Sequence, residues 1–430
     1  MAHQSARRNN GAGSYSQAVL DVEGILSEAA LRTILDQIAD RFPLIHGRIA
    51  RDCLNLAPFW KVKRGSASSQ IPLRIVDLAV DQADRSEALL ADHVNAPFHS
   101  QSEHLRFLLI RIGAQQSRLG MVFDHRLLDA FGSEMFFRLI DQAWQGKLDD
   151  ISPRVKQTEP AHLDHWKRRF ESGRTLNRLL HRLSTLEICA LQMPPKGKFR
   201  PMRMLHESLS REETIALNKK AGEEIGVPIL LPSAAARAIH AMREVLSGIS
   251  LPGGQYLIFT SANIRVPGQE WEKLFFNHFS LLPLSVETQP AAGIKEMAVA
   301  LRNQFFAQMK EKIPFVMQDA SALGRICPFW IGSRLLRLVA KGRMCSFYFA
   351  CLKDNGYSND TFMGQRVLNL FHQPLVFSPP GLNICMTEFR GRFNLVISYM
   401  QDVIDDDAAK LLMQEFKSVL VQPASEPVSR

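Results

Sequence analysis

The chain has 430 residues, of which 46% are hydrophobic, enough for two cores at ~100–200 residues per domain. Its 52 Lys and Arg against 43 Asp and Glu leave a net charge of +9. No apolar run approaches the ~18 residues that cross a bilayer, and Cys53, Cys189, Cys327, Cys345, Cys351 and Cys385 form no Cys-x-x-Cys pair. A membrane-spanning protein and a disulfide scaffold are therefore excluded, and reduced thiols in a cytoplasm are expected.

Residues 1–20 open Met1-Ala-His-Gln-Ser-Ala-Arg-Arg-Asn-Asn, lack an apolar core and are expected to be a disordered lead-in. From Leu26 to Ile49, Leu31, Ile34, Leu35 and Ile38 keep helical spacing, with Ser27 as a cap and Pro43 as a stop. The apolar run ending at Met121-Val-Phe123 predicts a strand that delivers His125 to its end, and a helix is expected from Gly132-Ser133 into Glu134–Ile140.

A histidine at a strand end rests on rigid backbone and can turn one ring nitrogen to a cleft, as a general base must. Of the chain's 13 histidines, only His125 has an aspartate four residues on. Asp129 is better placed to brace the loop through an ion pair or backbone hydrogen bonds than to serve as a second base. The local alternative is a histidine in a turn that merely precedes a helix N-cap.

Pro153, Pro160, Pro194, Pro195 and Pro201 frame a stretch poor in strand signals. Between Leu163 and Arg203, ten Lys and Arg against three Asp and Glu give a surplus of seven, most of the net charge. Within it, Trp166–Leu183 sets Arg168, Arg169, Arg174 and Arg178 around an apolar stripe. Four roles stay open there: a solvated linker face, docking of an acidic carrier protein, contact with coenzyme A phosphates, or adhesion to anionic lipid. Nucleic acid is not expected as a partner, since the cluster has no interleaved aromatics.

A second cationic amphipathic segment, Phe329–Arg343, reads as a helix leaning on a sheet, or as a cover for a long acyl chain or a membrane contact. Pro380–Tyr399 reads as a hairpin turning at Arg390-Gly391, and Leu411–Leu420 as a closing helix. There is no His-Glu-x-x-His, no Gly-x-Ser-x-Gly, no phosphate-binding Gly-Lys-Ser/Thr loop and no Gly-x-Gly-x-x-Gly, and His162-Leu-Asp-His165 is too short for a zinc site.

The run Asp124-His125-Arg-Leu-Leu-Asp129-Ala130 resembles the His-x-x-x-Asp-Gly signature of the acyltransferase superfamily of chloramphenicol acetyltransferases, peptide-synthetase condensation domains and bacterial wax ester synthases. The resemblance continues through Arg41-Phe-Pro-Leu-Ile-His-Gly-Arg-Ile49 and Asn95-Ala-Pro-Phe98 with Leu105–Ile112. It extends to Phe259–Pro267 and Phe275–Val286, so that order and spacing agree over most of the chain.

It implies an α/β fold of two chloramphenicol-acetyltransferase-like subdomains, each a mixed sheet with flanking helices, forming a V with a tunnel between them. The expected division is 21–155 for the first, 156–205 for a basic crossover and 206–430 for the second. It also implies transfer of an acyl group from a thioester to a hydroxyl or amine, with His125 as base and Asp129 as a structural residue held by an arginine, for which Arg265 is the candidate. Asn277 and Ser133 are candidate oxyanion donors, and His278 is expected to be a packed strand histidine.

The resemblance calls for no metal and no permanently bound cofactor. The co-substrate would be acyl-coenzyme A or a phosphopantetheine-linked acyl thioester, and the acceptor a small molecule or lipid. An acidic acyl or peptidyl carrier is a further expected partner, and oligomeric state is left open. The chain departs from the pattern at Asp124, where relatives often have a first histidine, and at Ala130, where they have glycine. An acid beside His125 favours its protonated form, and a methyl at 130 narrows the loop. These departures motivate the alternative of a catalytically silent relative that binds an acyl chain, a carrier or a partner enzyme.

Overall fold

The computed structural model describes residues 13–53, 58–62, 70–152, 163–194, 201–288, 293–326, 343–353 and 356–422. In chain order the first part runs β1 (Ser16–Glu23), α1 (Glu28–Arg41), β2 (Arg48–Arg51), β3 (Pro58–Lys61), β4 (Leu73–Leu78), α2 (Arg85–Asn95), β5 (Leu105–Ile112), β6 (Gln116–Phe123) and α3 (Ala130–Trp144). A long helix α4 (Leu163–Ser184), the short β7 (Ala190–Leu191) and β8 (Met202–Ser208) follow. Then come α5 (Arg211–Ile225), α6 (Leu231–Leu246), β9 (Ser250–Leu251), β10 (Gln255–Asn263), β11 (Phe279–Glu287), α7 (Ile294–Lys310) and α8 (Ile313–Ile326). The chain closes with β12 (Phe347–Leu352), β13 (Thr361–Phe362), β14 (Gln365–Gln373), β15 (Leu382–Phe389), β16 (Arg392–Met400) and α9 (Asp406–Val421).

Helix α1 forms as its spacing predicts. The Ser27 hydroxyl accepts from the Ala30 N–H, and Leu31, Ile34, Leu35 and Ile38 make one buried stripe. The stripe lies on the first sheet, of order β13-β14-β1-β6-β5-β4. The same core takes in Leu20 and Val22 from β1, Met121 and Phe123 from β6, and Phe136 and Ile140 from α3. The second sheet has the order β11-β10-β12-β15-β16-β8, with parallel pairing only at β10–β12 and β12–β15. One face, with Ile258, Phe347, Ile384 and Leu395, is covered by α5, α6, α7 and α9 through Leu217, Ile239, Leu301 and Phe416.

Two expectations from sequence change here. Residues 16–20 are not lead-in: Ser16–Glu23 is an interior strand of the first sheet, buried at all but its last residue, and polar Ser16, Gln17 and Asp21 hid that. The division at 205 also fails to follow the sheets. The first sheet takes β13 and β14 from residues 361–373, while β8, begun inside the supposed crossover, is an edge of the second sheet. Of the remaining expectations, residues 156–162 and 195–200 and the segment 329–342 lie outside the described residues. The hairpin is as read: Arg390 and Gly391 join β15 to β16 with φ of 51° and 73°, the left-handed pair that a tight two-residue turn requires.

The exchanged strand β14 is also the joint between the sheets. Phe371 stacks on His206 with ring centroids 3.9 Å apart. Beside it the buried Asn394 Oδ1 accepts from His206 Nε2 at 3.0 Å, Ser208 Oγ at 2.9 Å and Asn369 Nδ2 at 2.9 Å. Its Nδ2 donates to Asn369 Oδ1 and the Leu370 carbonyl. Asn394→Leu keeps the volume but strands these partners, each at a cost of ~1–3 kcal/mol. The expected loss is at least about 3 kcal/mol, read as a lower urea midpoint with an unchanged slope.

Candidate active site

Strand β6 pairs with β1 and β5 along its whole length, so its end at Phe123 is fixed. The chain then turns tightly: Leu127 and Leu128 both donate backbone N–H to the Asp124 carbonyl, at 2.8 and 3.1 Å. His125 lies in this turn, half-buried, its ring centroid 5.6 Å from that of Phe123. Its Nδ1 is buried without a hydrogen-bond partner. Burial is the largest influence on the ring and lowers its pKa; Asp129 and Asp124 pull the other way, and His372 lowers it further. The outcome is a neutral imidazole at pH 7, the form a base requires.

Asp129 is fully buried and ends the turn as the N-cap of α3. Its Oδ1 accepts from the Gly132 N–H at 2.7 Å and from Arg265 Nη2 at 2.8 Å, and its Oδ2 from the His278 N–H at 2.7 Å. Every donor has a distinct origin: the first turn of its own helix, a guanidinium after β10, and a backbone amide before β11. Arg265 is held in turn by the Lys273 carbonyl and lies 4.9 Å over the Phe131 ring. Close by, Leu128 bridges to Phe276, which sits at a left-handed φ of 75°. That is an unusual state for a bulky side chain and one tolerated where surroundings over-determine it. Gly132 belongs to the same junction, since a Cβ there would meet the Leu274 carbonyl oxygen at 2.7 Å.

The remaining sequence candidates fall at different distances from this role. Ser133 is buried and its hydroxyl donates to the Ala130 carbonyl at 2.6 Å, so its proton is already committed. Asn277 is exposed, and its Oδ1 accepts from the Phe279 N–H at 2.8 Å, closing its own turn. His278 reaches the site through its backbone, while its ring nitrogen Nε2 donates to the Phe275 carbonyl at 3.0 Å.

Arg168, Arg169, Arg174 and Arg178 stand on α4, whose Leu179 packs with Leu282 and Ile313 in a separate small core. They are not gathered as one free cluster. Arg168 pairs with Asp319 of α8 at 3.0 Å, Arg169 lies 5.4 Å over the Trp166 ring, and Arg178 donates to Thr175.

Asp124 does not confront His125 as an isolated charge. Burial alone would push its carboxyl up, but hydrogen bonds from His104 and Arg126, with the Arg126 charge, outweigh burial and hold it well below the usual carboxylate range. The His104 ring reaches Asp124 Oδ2 at 3.2 Å with Nδ1 and the Gly47 carbonyl at 2.7 Å with Nε2. Ala130 is the first residue of α3 and lies outside the left-handed region, so its conformation does not demand a glycine.

His104 escaped the sequence reading, and so did a buried pair behind the site, Glu134 and His372, joined at 2.7 Å. The one signal for Glu134 was a carboxylate among buried apolar positions of α3; His372, in a strand 238 residues away, gave none. Among the described residues, no group of three His, Cys, Asp or Glu side chains is placed to hold a metal, and no helix is long and apolar enough to cross a membrane.

No protein-family model matches this sequence, and no curated protein does. Solved structures do match. The first condensation domain of the calcium-dependent antibiotic synthetase, in complex with a substrate analogue, superposes with a TM-score of 0.70 at 13% identity, over 100% of this chain and 95% of that one. The fold is that of a condensation domain. SgcC5 from Streptomyces globisporus shares it with a TM-score of 0.65 at 14% identity, over 96% of this chain and 93% of that one. The epimerization domain from the third module of tyrocidine synthetase B does so with a TM-score of 0.59 at 13% identity, over 94% and 90%. Since condensation and epimerization domains share this frame, the frame does not select the reaction, and side chains must.

In this condensation-domain frame, Asp129→Ala removes one member of a buried ion pair and strands Arg265. The expected cost is about 3–5 kcal/mol, read as a lowered denaturant midpoint. Asp129→Asn keeps the cap oxygen and should lose distinctly less.

Proposed function

We propose that this protein is an acyltransferase that moves an acyl group from a thioester to a hydroxyl or amine, with His125 as general base. The observation that carries this is His125 itself: a neutral, half-buried imidazole with no hydrogen-bond partner on its buried nitrogen, on a loop pinned to both sheets through Asp129. A thioester bound beside His125 presents an activated carbonyl. His125 Nε2 takes the acceptor's proton as the acceptor attacks, and returns it to the departing thiolate as the tetrahedral intermediate collapses. Asp129, fully buried and accepting from three protein donors, acts by holding the turn.

The donor is acyl-coenzyme A or an acyl chain on the phosphopantetheine arm of a carrier. A similar structure is a cyclization-docking bidomain from Sorangium cellulosum, in which a cyclization domain is joined to a docking unit. That likeness, with the exposed basic face of α4, favours a carrier. The His-loop departures do not remove the base, because Asp124 is engaged by His104 and Arg126 and Ala130 lies in ordinary helix.

His125→Ala should fold as wild type, by its circular dichroism and melting curve, and lose ~10²–10⁴-fold in kcat, the usual contribution of a positioned base. Activity requires the neutral ring, and its pKa is displaced downward, so kcat/KM should stay level through neutrality and fall only below pH 6.5. Thiol release from a panel of acyl-coenzyme A and carrier-bound donors measures both. A folded His125→Ala protein with wild-type turnover would remove the base from this scheme.

Arg168 is tied to Asp319, so the docking face is better tested at Arg169, Arg174 and Arg178. Reversing these three to glutamate should raise KM for a carrier-borne donor with kcat nearly unchanged, and salt should weaken wild type in the same sense. If only liposome pelleting falls, the face holds lipid; if nothing changes, it is a solvated surface.

A further inference from the structure

A base that works through Nε2 must carry its other proton on Nδ1, and a buried N–H needs an acceptor. His125 Nδ1 has none within its own loop. Strand β14, beyond β1 in the same sheet, offers one. His372 of β14 is in register with Ala18 of β1, and Ala18 with Met121 of β6, so His372 shares the sheet face from which the His125 loop springs. Its side chain is 4% exposed, and its Nδ1 is likewise buried without a partner.

The state of His372 is set from behind. Glu134 of α3 approaches His372 Nε2 with Oε1 at 2.7 Å, while its Oε2 accepts the Gly356 backbone N–H. A carboxylate that faces a donor on each oxygen accepts the His372 Nε2–H, and in the neutral ring the lone pair is then on Nδ1. Two neighbouring histidines thus have one buried open nitrogen each, one fitted to donate and the other to accept.

We propose that Glu134 and His372 are a positioning pair for His125: His372 Nδ1 receives the His125 Nδ1–H through one water, and leaves the His125 Nε2 lone pair for the acceptor's proton. This rests on the reading of His125 as the base. The ionisable groups that act on His125 are Asp124 and Asp129 of its own loop and His372 of β14.

The test is the tautomer of His125 in the full chain without substrate, read from ¹⁵N-histidine spectra and assigned by the signal lost in His125→Ala. Wild type should hold the proton on Nδ1. His372→Phe should admit the Nε2–H form and lower kcat at least tenfold, up to the ~10⁴-fold that a wrong tautomer costs a base, with KM within about twofold. His372→Gln restores an acceptor oxygen and should recover the tautomer and most of kcat.

A wild-type His125 protonated on Nε2 overturns the proposal before any variant is made. So does an unchanged tautomer in His372→Phe, or a His372→Gln protein as slow as His372→Phe. If His125→Ala stays active while His372→Phe shifts the tautomer, the positioning pair stands and the reading of His125 as the base falls.

Discussion

One buried carboxylate organises this molecule. Asp129 is shut away from water, and a buried charge is tolerated only when it is paired and hydrogen-bonded. No single segment satisfies it: α3 supplies the Gly132 amide, while Arg265 and the His278 amide come from the other half of the chain. The loop of His125 therefore reaches its working shape only when the two halves are docked. Strain at Phe276 and the tight approach of Gly132 to Leu274 are local costs of that docking, and the ion pair offsets them. Fold and candidate site are coupled through one side chain.

Much of this was legible in the sequence where the controlling interaction is local. The cap and stripe of α1, the Arg390-Gly391 turn and the four-residue interval from His125 to Asp129 all report on backbone within a few residues. Arg265 was legible only through the resemblance, because nothing in Ile264-Arg265-Val266 says which carboxylate it meets. Ser16–Glu23 was misread because Ser16, Gln17 and Asp21 interrupt its hydrophobic pattern, and those residues are buried by partners far off in the chain: Gln17 bonds Gln373, and Asp21 pairs with Arg118. Pairings of this kind leave no periodic trace.

The departures at Asp124 and Ala130 illustrate the same limit from the other side. In sequence, an aspartate beside His125 looks like a charge that would protonate it. In the fold that carboxylate is turned to His104, which bridges it to Gly47, and to Arg126. The burial of His125 then outweighs what Asp124 contributes. Whether a neighbour in sequence is a neighbour in electrostatics depends on where its own partners are.

Strand β14 has a consequence for how the molecule is made. Without β13 and β14, β1 would be the outer strand of the first sheet, although seven of its eight residues are buried in the finished protein. During synthesis that edge stays open from the pairing of β1 with β6 until β14 has emerged, an invitation to pair with another chain. The first half is thus not an independent folding unit that later acquires a neighbour; its sheet closes only once β14 has been made. Such a long-range closure belongs to slow, non-local folding. Separately expressed halves of this chain would need to exchange that strand between two molecules to reach the native arrangement.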